Sequence, residues 1–435
     1  MTKATPLAIA TLALFTPRVR SLSTSTSFFT AEKIASLREG LPSDHIHFNA
    51  AGASPPHASV TERIISHMNL ENSIGAYAAE SRVAEETSKI YTSLGRLLSC
   101  PPSSLHLHDS STTSFNHGIY SVPLPSPTSR LLSASSSEYA SNAISMIKHS
   151  KANSCPPPLF IPNTSSGSIN LERIHSEILD PKHNIEAIVL THAPTNGGCV
   201  NDAISLGNLI SSLPSHVKKP IYLLDACQTV GQVPLSVEDI KCDVLAGTSR
   251  KWLRGPRGVG FLYAREGVFD EGFGGDLKGY EWIGDDVRVR EREKEREYEY
   301  WEGSVCNKLG FGKALDLVLE IGVENVEERV RHLSELTRER ITNEVGLRCM
   351  DLKGSEVMSG ICSFDVCEIG SAKYVVEEMA KRGISVSTSG RMSTLMDAEE
   401  RDLPDFMVRF SPHYFNQEEE VGSVIDALMS IEKEK

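Results

Sequence analysis

The chain has 435 residues, and its 44 lysines and arginines stand against 57 aspartates and glutamates, a formal net charge of −13. Hydrophobic residues make up 40% and charged residues 23%, which excludes collagen-like, disulfide-dense and wholly disordered chains. The acidic balance argues against a general nucleic-acid binder. Because no long uncharged apolar run occurs, we expect a soluble protein without a transmembrane helix.

Residues 1–30 differ in composition from the rest of the chain. Glu32 is the first acidic residue, and it is preceded by Lys3, Arg18, Arg20 and a tract rich in serine and threonine. Such a segment is typical of an organelle transit peptide, although its short apolar run also fits a secretory signal or a disordered tail. Nine scattered cysteines without a CxxC pair favour free thiols in a reducing compartment. We therefore predict a mitochondrial or plastid targeting segment, and otherwise a cytoplasmic protein.

After the leader, predicted strands alternate with predicted helices. The strands are expected at 105–108, 130–135, 185–190, 221–224, 243–246 and 259–264. The helices between them are expected to end near 120 and to span 139–149 and 202–213. This alternation predicts βαβ units, hence an α/β fold with a mostly parallel sheet. Ligands of such sheets bind at the carboxyl ends of the strands.

The pattern changes after about residue 310. Helices are predicted at 311–321, 324–345 and 372–382, strands at 361–366, 384–388 and 407–411, and a final acidic helix from near 417. We predict a large domain over 31–310, whose first residues could join the other unit, and a smaller α+β domain over 311–435. The charge-dense stretch 285–302 predicts a solvated helix or surface insertion without a catalytic role.

Two His-x-His pairs, His45 with His47 and His106 with His108, could each face one side of a strand as metal ligands. Neither pair has an acidic or cysteine partner nearby in the sequence that would complete a site. We therefore predict that the protein has no metal centre.

An aspartate and a lysine follow neighbouring predicted strands. Asp225 comes directly after a buried strand, where a carboxylate needs a partner such as a protonated heterocyclic nitrogen. Lys251 lies in a loop between strands, and a lysine among cations has a depressed pKa and can form a Schiff base. Beside it, Thr248, Ser249 and Arg250 supply hydroxyls and a guanidinium that suit a phosphate.

Two further strand ends contribute a phosphate site and an aromatic ring. Ser111 and Thr112 open a predicted helix, where free backbone N–H groups and hydroxyls bind anions. Tyr139 follows another strand and offers a stacking face. Each of these residues alone is more often a helix cap, a core aromatic or a surface charge. The order of phosphate loop, aromatic, aspartate and lysine matches what pyridoxal phosphate requires.

From His47 to about Asn416 the sequence resembles the class V aminotransferase family of fold-type-I pyridoxal-phosphate enzymes. The strongest match joins the segments 225–232 and 247–258. The resemblance implies that Lys251 forms the Schiff base with the cofactor. It also implies that Asp225 pairs with the pyridinium nitrogen, that Gln228 bonds to the ring hydroxyl and that Tyr139 stacks on the ring. The residues that it implies for binding the phosphate are Ser111, Thr112, Thr248 and Arg250.

The resemblance also implies a partner and a substrate. Ser304 matches a position that reaches the phosphate of the other subunit, which implies a homodimer with shared active sites. Arg409 matches the arginine that clamps the carboxylate of an amino-acid substrate, a task that suits its bidentate fork. No nucleic-acid or membrane partner is expected. Arg391 could read a second anionic group or be a solvated charge, and the sequence does not decide whether Cys227 is reactive or merely packed.

Two branches of the family compete as models for the activity. Cysteine desulfurases carry a cysteine in a mobile loop, and the matching segment 386–394 has none. The phrases at 138–142, 191–197, 225–228 and 300–304 look more like the ergothioneine-pathway carbon–sulfur lyases and the isopenicillin N epimerase-like group. We therefore expect α,β-elimination from an S-substituted cysteine sulfoxide, as in hercynylcysteine sulfoxide cleavage.

Three alternatives remain from the sequence. An amino-acid epimerase or an aminotransferase of the class V family would use the same cofactor residues. A cysteine desulfurase is disfavoured by the missing loop cysteine. A non-catalytic binding protein that kept the fold is disfavoured because Lys251 and Asp225 are both present.

Overall fold

The structure is a computed structural model that describes residues 28–269, 280–284, 288–291, 296–355 and 357–434. The predicted targeting segment thus lies outside the described residues except for its last three. The last of these, Thr30, caps the first helix by accepting a hydrogen bond from the backbone N–H of Lys33. None of the described helices has the length and apolar content needed to cross a membrane.

The helices and strands of the described residues follow in chain order. The helices α1 to α14 are Ala31–Leu37, Ala58–Ile74, Ala76–Arg82, Ala84–Leu98, Ser111–Tyr120, Ala140–Ala152, Leu171–Leu179, Ala203–Ser211, Val237–Ile240, Val305–Ile321, Val323–Arg340, Ala372–Lys381, Leu395–Glu400 and Glu418–Glu434. The strands β1 to β15 are Ile46–His47, Leu105–His108, Ser129–Ser133, Leu159–Phe160, Asn184–Thr191, Ile221–Asp225, Val244–Thr248, Gly260–Ala264, Tyr280–Ile283, Arg288–Glu291, Arg348–Cys349, Cys362–Asp365, Ile384–Ser385, Ser387–Gly390 and Phe406–Phe410.

A seven-stranded sheet in the order β2-β8-β7-β6-β5-β3-β4 organises the larger part of the chain. Within it β8 alone runs against the other strands, because it pairs antiparallel with both β2 and β7. The central strands β5 and β6 are almost entirely buried, and helices cover the sheet, which explains their near-continuous apolar sequences. The predicted α/β fold with a mostly parallel sheet is confirmed.

A four-stranded antiparallel sheet in the order β11-β12-β15-β14 forms a second, smaller unit. Its core joins residues of the sheet, such as Phe364 and Val408, to residues of α12 and α14, such as Val375 and Ile425. This unit is the smaller α+β domain that the sequence predicts. The early strand β1 pairs in parallel with β13 of the same region. The domain boundaries at 30 and 310 stay a prediction.

The sequence predicts a solvated helix or a surface insertion for the charge-dense stretch, and the described part of the stretch contains no helix. Its described part includes β10, which pairs antiparallel with β9 as a hairpin, and a two-residue alternation suits a strand better than a helix. Further along, Tyr298 and Glu299 are buried rather than solvated. The Glu299 carboxylate accepts hydrogen bonds from the backbone N–H of Leu107 at 2.7 Å and the Tyr91 hydroxyl at 2.8 Å. The stretch is therefore anchored to the edge strand β2.

Candidate active site

A cavity of about 260 Å³ lies at the carboxyl ends of the parallel strands, between the two sheets. It is lined by Ala51, Gly52, Ser111, Thr112, Tyr139, Asn142, Thr191, Ala193, Thr195, Asp225, Cys227, Gln228, Arg250, Lys251, Thr388, Ser389, Gly390, Ser393 and Arg409. A larger open cleft of about 970 Å³ lies between α8, α9 and the junction of α10 with α11. Because that cleft contains none of the predicted site residues, we assign the site to the smaller cavity.

Lys251 projects into the cavity from the loop after β7. Burial lowers the pKa of its amine to about 8, and the nearby guanidiniums of Arg250 and Arg409 act in the same direction. Among the described residues no hydrogen-bond acceptor or carboxylate holds its Nζ atom. A substantial fraction of this amine is therefore neutral at physiological pH, which is the form that attacks a carbonyl carbon.

Asp225 ends β6 and is buried, as predicted for the partner of a ring nitrogen. Its Oδ1 accepts the backbone N–H of Cys227 at 2.9 Å, and its Oδ2 accepts Nδ2 of Asn142 at 2.7 Å. The same Asn142 amide donates to Oε1 of the buried Glu138 at 2.8 Å. Burial and the nearby Asp225 raise the pKa of Glu138. One amide thus bridges two buried carboxylates and holds Asp225 in a single orientation.

Gln228 and Tyr139 lie at the positions predicted for contacts with the cofactor ring. The Gln228 side chain is held at both ends, because Nε2 donates to the Ala51 carbonyl at 3.1 Å and Oε1 accepts Nε1 of Trp252 at 3.0 Å. Tyr139 precedes α6 and is 41% exposed, although neighbouring aromatic residues of the core are buried. An exposed ring on the cavity wall is available for stacking, whereas a purely structural tyrosine would be packed.

The predicted phosphate end of the cavity is the N-terminus of α5. Ser110 caps this helix by accepting the backbone N–H of Thr113 at 3.1 Å, which leaves the N–H groups of Ser111 and Thr112 without a partner among the described residues. Gly260 permits this arrangement, because a Cβ atom there would lie 2.2 Å from the Ser110 carbonyl carbon. Arg250 adds a guanidinium to the same cavity. Together they form an anion site.

Two predicted phosphate ligands are not in the cavity wall of this chain. Thr248 is the last residue of β7, and its hydroxyl donates a hydrogen bond to the Val259 carbonyl at 3.5 Å. The hydroxyl therefore already has an acceptor within its own chain. Ser304 is exposed and caps α10 by accepting the backbone N–H of Asn307 at 3.3 Å. Because Ser304 was expected to reach the other subunit, its role toward a phosphate stays a prediction.

Arg409 projects from β15 into the cavity, as expected of a carboxylate clamp. Its Nη1 donates to Oγ1 of Thr195 at 2.6 Å, and its buried Nε has no hydrogen-bond partner. Burial lowers the pKa of the guanidinium to about 10, which leaves it charged at neutral pH. A buried charged donor without an acceptor is costly, so this edge of Arg409 indicates a site for an anion.

The cysteines of the cavity region offer no thiolate. Cys227 lines the cavity, but burial and the adjacent Asp225 raise the pKa of its thiol. Cys367 is exposed on the smaller unit and is not among the lining residues.

Arg391 also stays outside the cavity wall, and its Nη1 lies 3.8 Å from Oδ1 of Asp405. In the described part of the chain, no cluster of histidine, cysteine and acidic residues could hold a metal ion.

Sequence reasoning missed several residues of the site. Asn142 lies three positions after Tyr139, and this helical spacing could have placed both on one face of α6. Thr195 follows the buried strand β5, so the rule that sites form at strand ends could have identified it. The resemblance pointed to the segment 386–394 but not to Ser389 or Ser393 individually, because they reach the cavity from the other unit.

Comparisons with known proteins agree with this arrangement. The sequence profile of the family described as aminotransferase class-V matches residues 47–424. A cysteine desulfurase of Haloferax volcanii is 24% identical over 62% of this chain and 60% of its own length. An isopenicillin N epimerase of Amycolatopsis lactamdurans is 27% identical over 49% of this chain and 53% of its own. A probable hercynylcysteine sulfoxide lyase of Mycobacterium tuberculosis is 21% identical over 88% and 90%.

Solved structures share the fold. The apo cysteine desulfurase of Thermococcus onnurineus NA1 superposes with a TM-score of 0.79 at 18% identity, covering 92% of this chain and 98% of its own. A C-DES mutant with glycine covalently linked to its PLP cofactor gives a TM-score of 0.75 at 18% identity, covering 89% and 96%. Of the sequence relatives, the desulfurase and the epimerase are each matched over less than two thirds of their length.

Proposed function

We propose that this chain, which belongs to the class-V aminotransferase family, is a carbon–sulfur lyase that cleaves an S-substituted cysteine sulfoxide by α,β-elimination. Hercynylcysteine sulfoxide, on the route to ergothioneine, is the model substrate. Pyridoxal 5′-phosphate is the cofactor, and the donor set fits it. Lys251 would hold its aldehyde carbon, Asp225 its ring nitrogen and the start of α5 its phosphate. The unpartnered Nε of Arg409 is left for the substrate.

The residues of this chain divide the work of elimination. When bound, pyridoxal 5′-phosphate supplies a carbonyl for the substrate amine and a ring that takes up the electron pair left at Cα. Arg409 binds the substrate carboxylate, and Asp225 keeps a proton on the ring nitrogen. The neutral amine of Lys251 takes the proton from Cα. The Cβ–S bond then breaks, the sulfenate leaves with the bonding pair and takes the proton from Lys251 to become sulfenic acid, and water converts the remaining three-carbon fragment to pyruvate and ammonia.

One observation carries the choice of elimination over desulfuration. Sulfur transfer to the protein needs a thiolate close to the substrate, and the segment that closes the cavity presents Thr388, Ser389 and Ser393 instead. The single thiol of the described cavity wall is that of Cys227, whose raised pKa keeps it protonated. Elimination needs no protein thiol, because the sulfur departs with its substituent.

Product analysis tests the proposal. The holoenzyme is incubated with a panel of S-substituted cysteine sulfoxides, and pyruvate is measured by a coupled assay. With free cysteine as substrate, alanine and sulfide are measured in parallel. We expect pyruvate from at least one sulfoxide and none from the Lys251→Ala variant. Alanine formation from cysteine would support a desulfurase, inversion at Cα an epimerase, and a keto acid with an amino acceptor an aminotransferase.

The remaining expectations from the sequence are part of the same proposal. We propose a homodimer in which Ser304 of the partner subunit contacts the cofactor phosphate, because Ser304 is exposed at the start of α10 and does not line the active-site cavity of its own chain. A monomeric holoenzyme in analytical ultracentrifugation would contradict it. We also propose that the leader directs the chain to an organelle, which expression of a fluorescent fusion with and without residues 1–30 tests.

A further inference from the structure

The wall segment, residues 388–394, closes one side of the cavity and belongs to the smaller unit. Its β-strand part pairs with β15, and Thr388, Ser389, Gly390 and Ser393 line the cavity. A loop that merely follows a strand would move relative to the larger sheet whenever the two units move. The contacts of this segment with the larger unit therefore decide whether the wall has one position or many.

Asn196 makes these contacts from the loop after β5. It is fully buried, and its Nδ2 donates to the Gly390 carbonyl at 3.0 Å and to Oγ1 of Thr394 at 3.0 Å. Its Oδ1 accepts a hydrogen bond from the Ser389 hydroxyl. Both N–H donors and the oxygen acceptor of the Asn196 amide thus form hydrogen bonds with the wall segment. An asparagine that only filled the core would bond to its own loop, as the nearby Asn201 does with Thr191.

The neighbouring residue ties the same loop to the carboxylate clamp. Thr195 accepts the hydrogen bond from Nη1 of Arg409 at 2.6 Å, so the dipeptide Thr195–Asn196 holds both Arg409 and the wall segment. Because the strand part of the wall pairs with β15, the wall and Arg409 belong to one sheet, and the two adjacent residues fix both of them relative to the larger unit that carries Lys251. A substrate bound by its carboxylate must place its β-substituent in the space that remains.

The chemistry of the wall indicates which substituent suits that space. Thr388 and Ser393 line the cavity, and their hydroxyls have no hydrogen-bond partner among the described residues. Asp225 is the single acidic residue among the described residues that line the cavity. Under the proposed function, its carboxylate is already paired with the ring nitrogen of the cofactor. Two free hydroxyl donors match an acceptor atom, and the oxygen of a sulfoxide is a strong acceptor that a sulfide lacks.

We propose that Asn196 is a specificity-determining residue, which fixes the wall segment so that its free hydroxyls meet the sulfoxide oxygen of the substrate. This inference rests on the proposed function for the identity of the substrate. Asn196 acts through the segment and does not touch the reacting atoms. Without it, the segment loses three hydrogen bonds to the larger unit, and the hydroxyls no longer have a fixed position relative to Lys251 and Asp225.

The test compares three variants of the holoenzyme. Asn196→Ala removes the three bonds from one side, and the double variant Ser389→Ala/Thr394→Val removes two of them from the other side, which guards against a folding defect at Asn196. Met392→Ala is the matched control, because Met392 is in the same segment, is 66% exposed and makes none of these bonds. Circular dichroism establishes that each variant is folded.

The first measurement is tryptic cleavage of the Arg391–Met392 bond, followed by mass spectrometry, with cleavage elsewhere as the internal reference. We expect cleavage of this bond to be about tenfold faster in Asn196→Ala and the double variant, and unchanged in Met392→Ala, because a protease needs the segment to leave its packed position. Equal cleavage in the wild type and both variants would overturn the inference without bearing on the lyase activity.

The second measurement is the preference for a sulfoxide over the sulfide with the same substituent, obtained by titrating each while following the visible absorbance of the cofactor. The wild type should prefer the sulfoxide, and loss of the wall contacts should reduce the preference about five- to tenfold, the worth of one hydrogen bond. An unchanged preference in a variant that is cleaved faster would refute the role of Asn196. A wild type that binds with this preference but releases no pyruvate would refute the proposed function and leave the inference standing.

Discussion

The substitution Lys251→Met tests the electrostatic description of the cavity without any substrate. In the folded protein the pKa of Lys251 is about 8, against 10.5 for an exposed lysine. The folded state therefore binds this proton less tightly than the unfolded chain. At pH 7 the amine is protonated in most folded molecules, and the difference between 10.5 and about 8 corresponds to about 3 kcal/mol of lost stability. Methionine has a similar length and no charge, so it relieves this cost.

The assay is urea unfolding of the cofactor-free protein at several pH values. Since the cavity is open to water on one side, we expect the variant to be more stable than the wild type by about 2 kcal/mol at pH 7. The gain should shrink as the pH rises above 8 and should be small at 10.5, where the amine is neutral in the folded state and half of it is neutral in the unfolded chain. Lys89→Met serves as the control, because Lys89 is exposed and pairs with Glu85 at 2.8 Å. That control should bring no gain in stability.

Two outcomes would refute the reasoning. A variant no more stable than the wild type at pH 7 would mean that Lys251 is either well solvated or paired, so the pKa of its amine would not be lowered. A gain that persists unchanged at pH 10.5 would mean that the stabilisation comes from packing of the methionine and not from removal of a charge. Lys251→Ala, which leaves the packing unfilled, separates these two contributions.

Two further substitutions address the polar interior. Asn142→Ala removes the bridge between Asp225 and Glu138, so the free energy of unfolding should fall by about 2–4 kcal/mol. The affinity for the cofactor, measured by its absorbance, should fall at least tenfold. An unchanged affinity would show that Asp225 keeps its orientation without Asn142. Arg338→Met leaves the buried Asp351 unpaired, a loss of about 3–5 kcal/mol in urea unfolding. The double variant with Asp351→Asn should recover part of that loss, and no recovery would contradict an ion-pair origin.

Much of the fold follows from local patterns in the sequence. The strands β5 and β6 are apolar runs because helices cover both faces of the sheet. Their predicted ranges, 185–190 and 221–224, differ from the observed ones by no more than one residue at each end. Helices α2, α3 and α4 were not predicted. The weak amphipathic pattern of α2 arises because only two of its residues, Val60 and His67, are buried. For the stretch 285–302 the sequence left a solvated helix and a surface insertion open, because a strand and a solvated helix share the same polar composition, and the structure forms the strand β10 there.

The sequence alone determined the residues that cluster at the ends of parallel strands. Asp225, Lys251, Ser111 and Tyr139 each follow a strand, and strands of a parallel sheet end at one edge, so local order was sufficient to bring them together. The phosphate role of Thr248 stays a prediction, since its hydroxyl contacts the Val259 carbonyl and the residue is not among those lining the cavity. The tertiary structure alone decided the Asn142 bridge and the attachment of the wall segment to Asn196. Asn196 and Ser389 are far apart in the chain, and only packing of the two sheets makes their hydrogen bond possible.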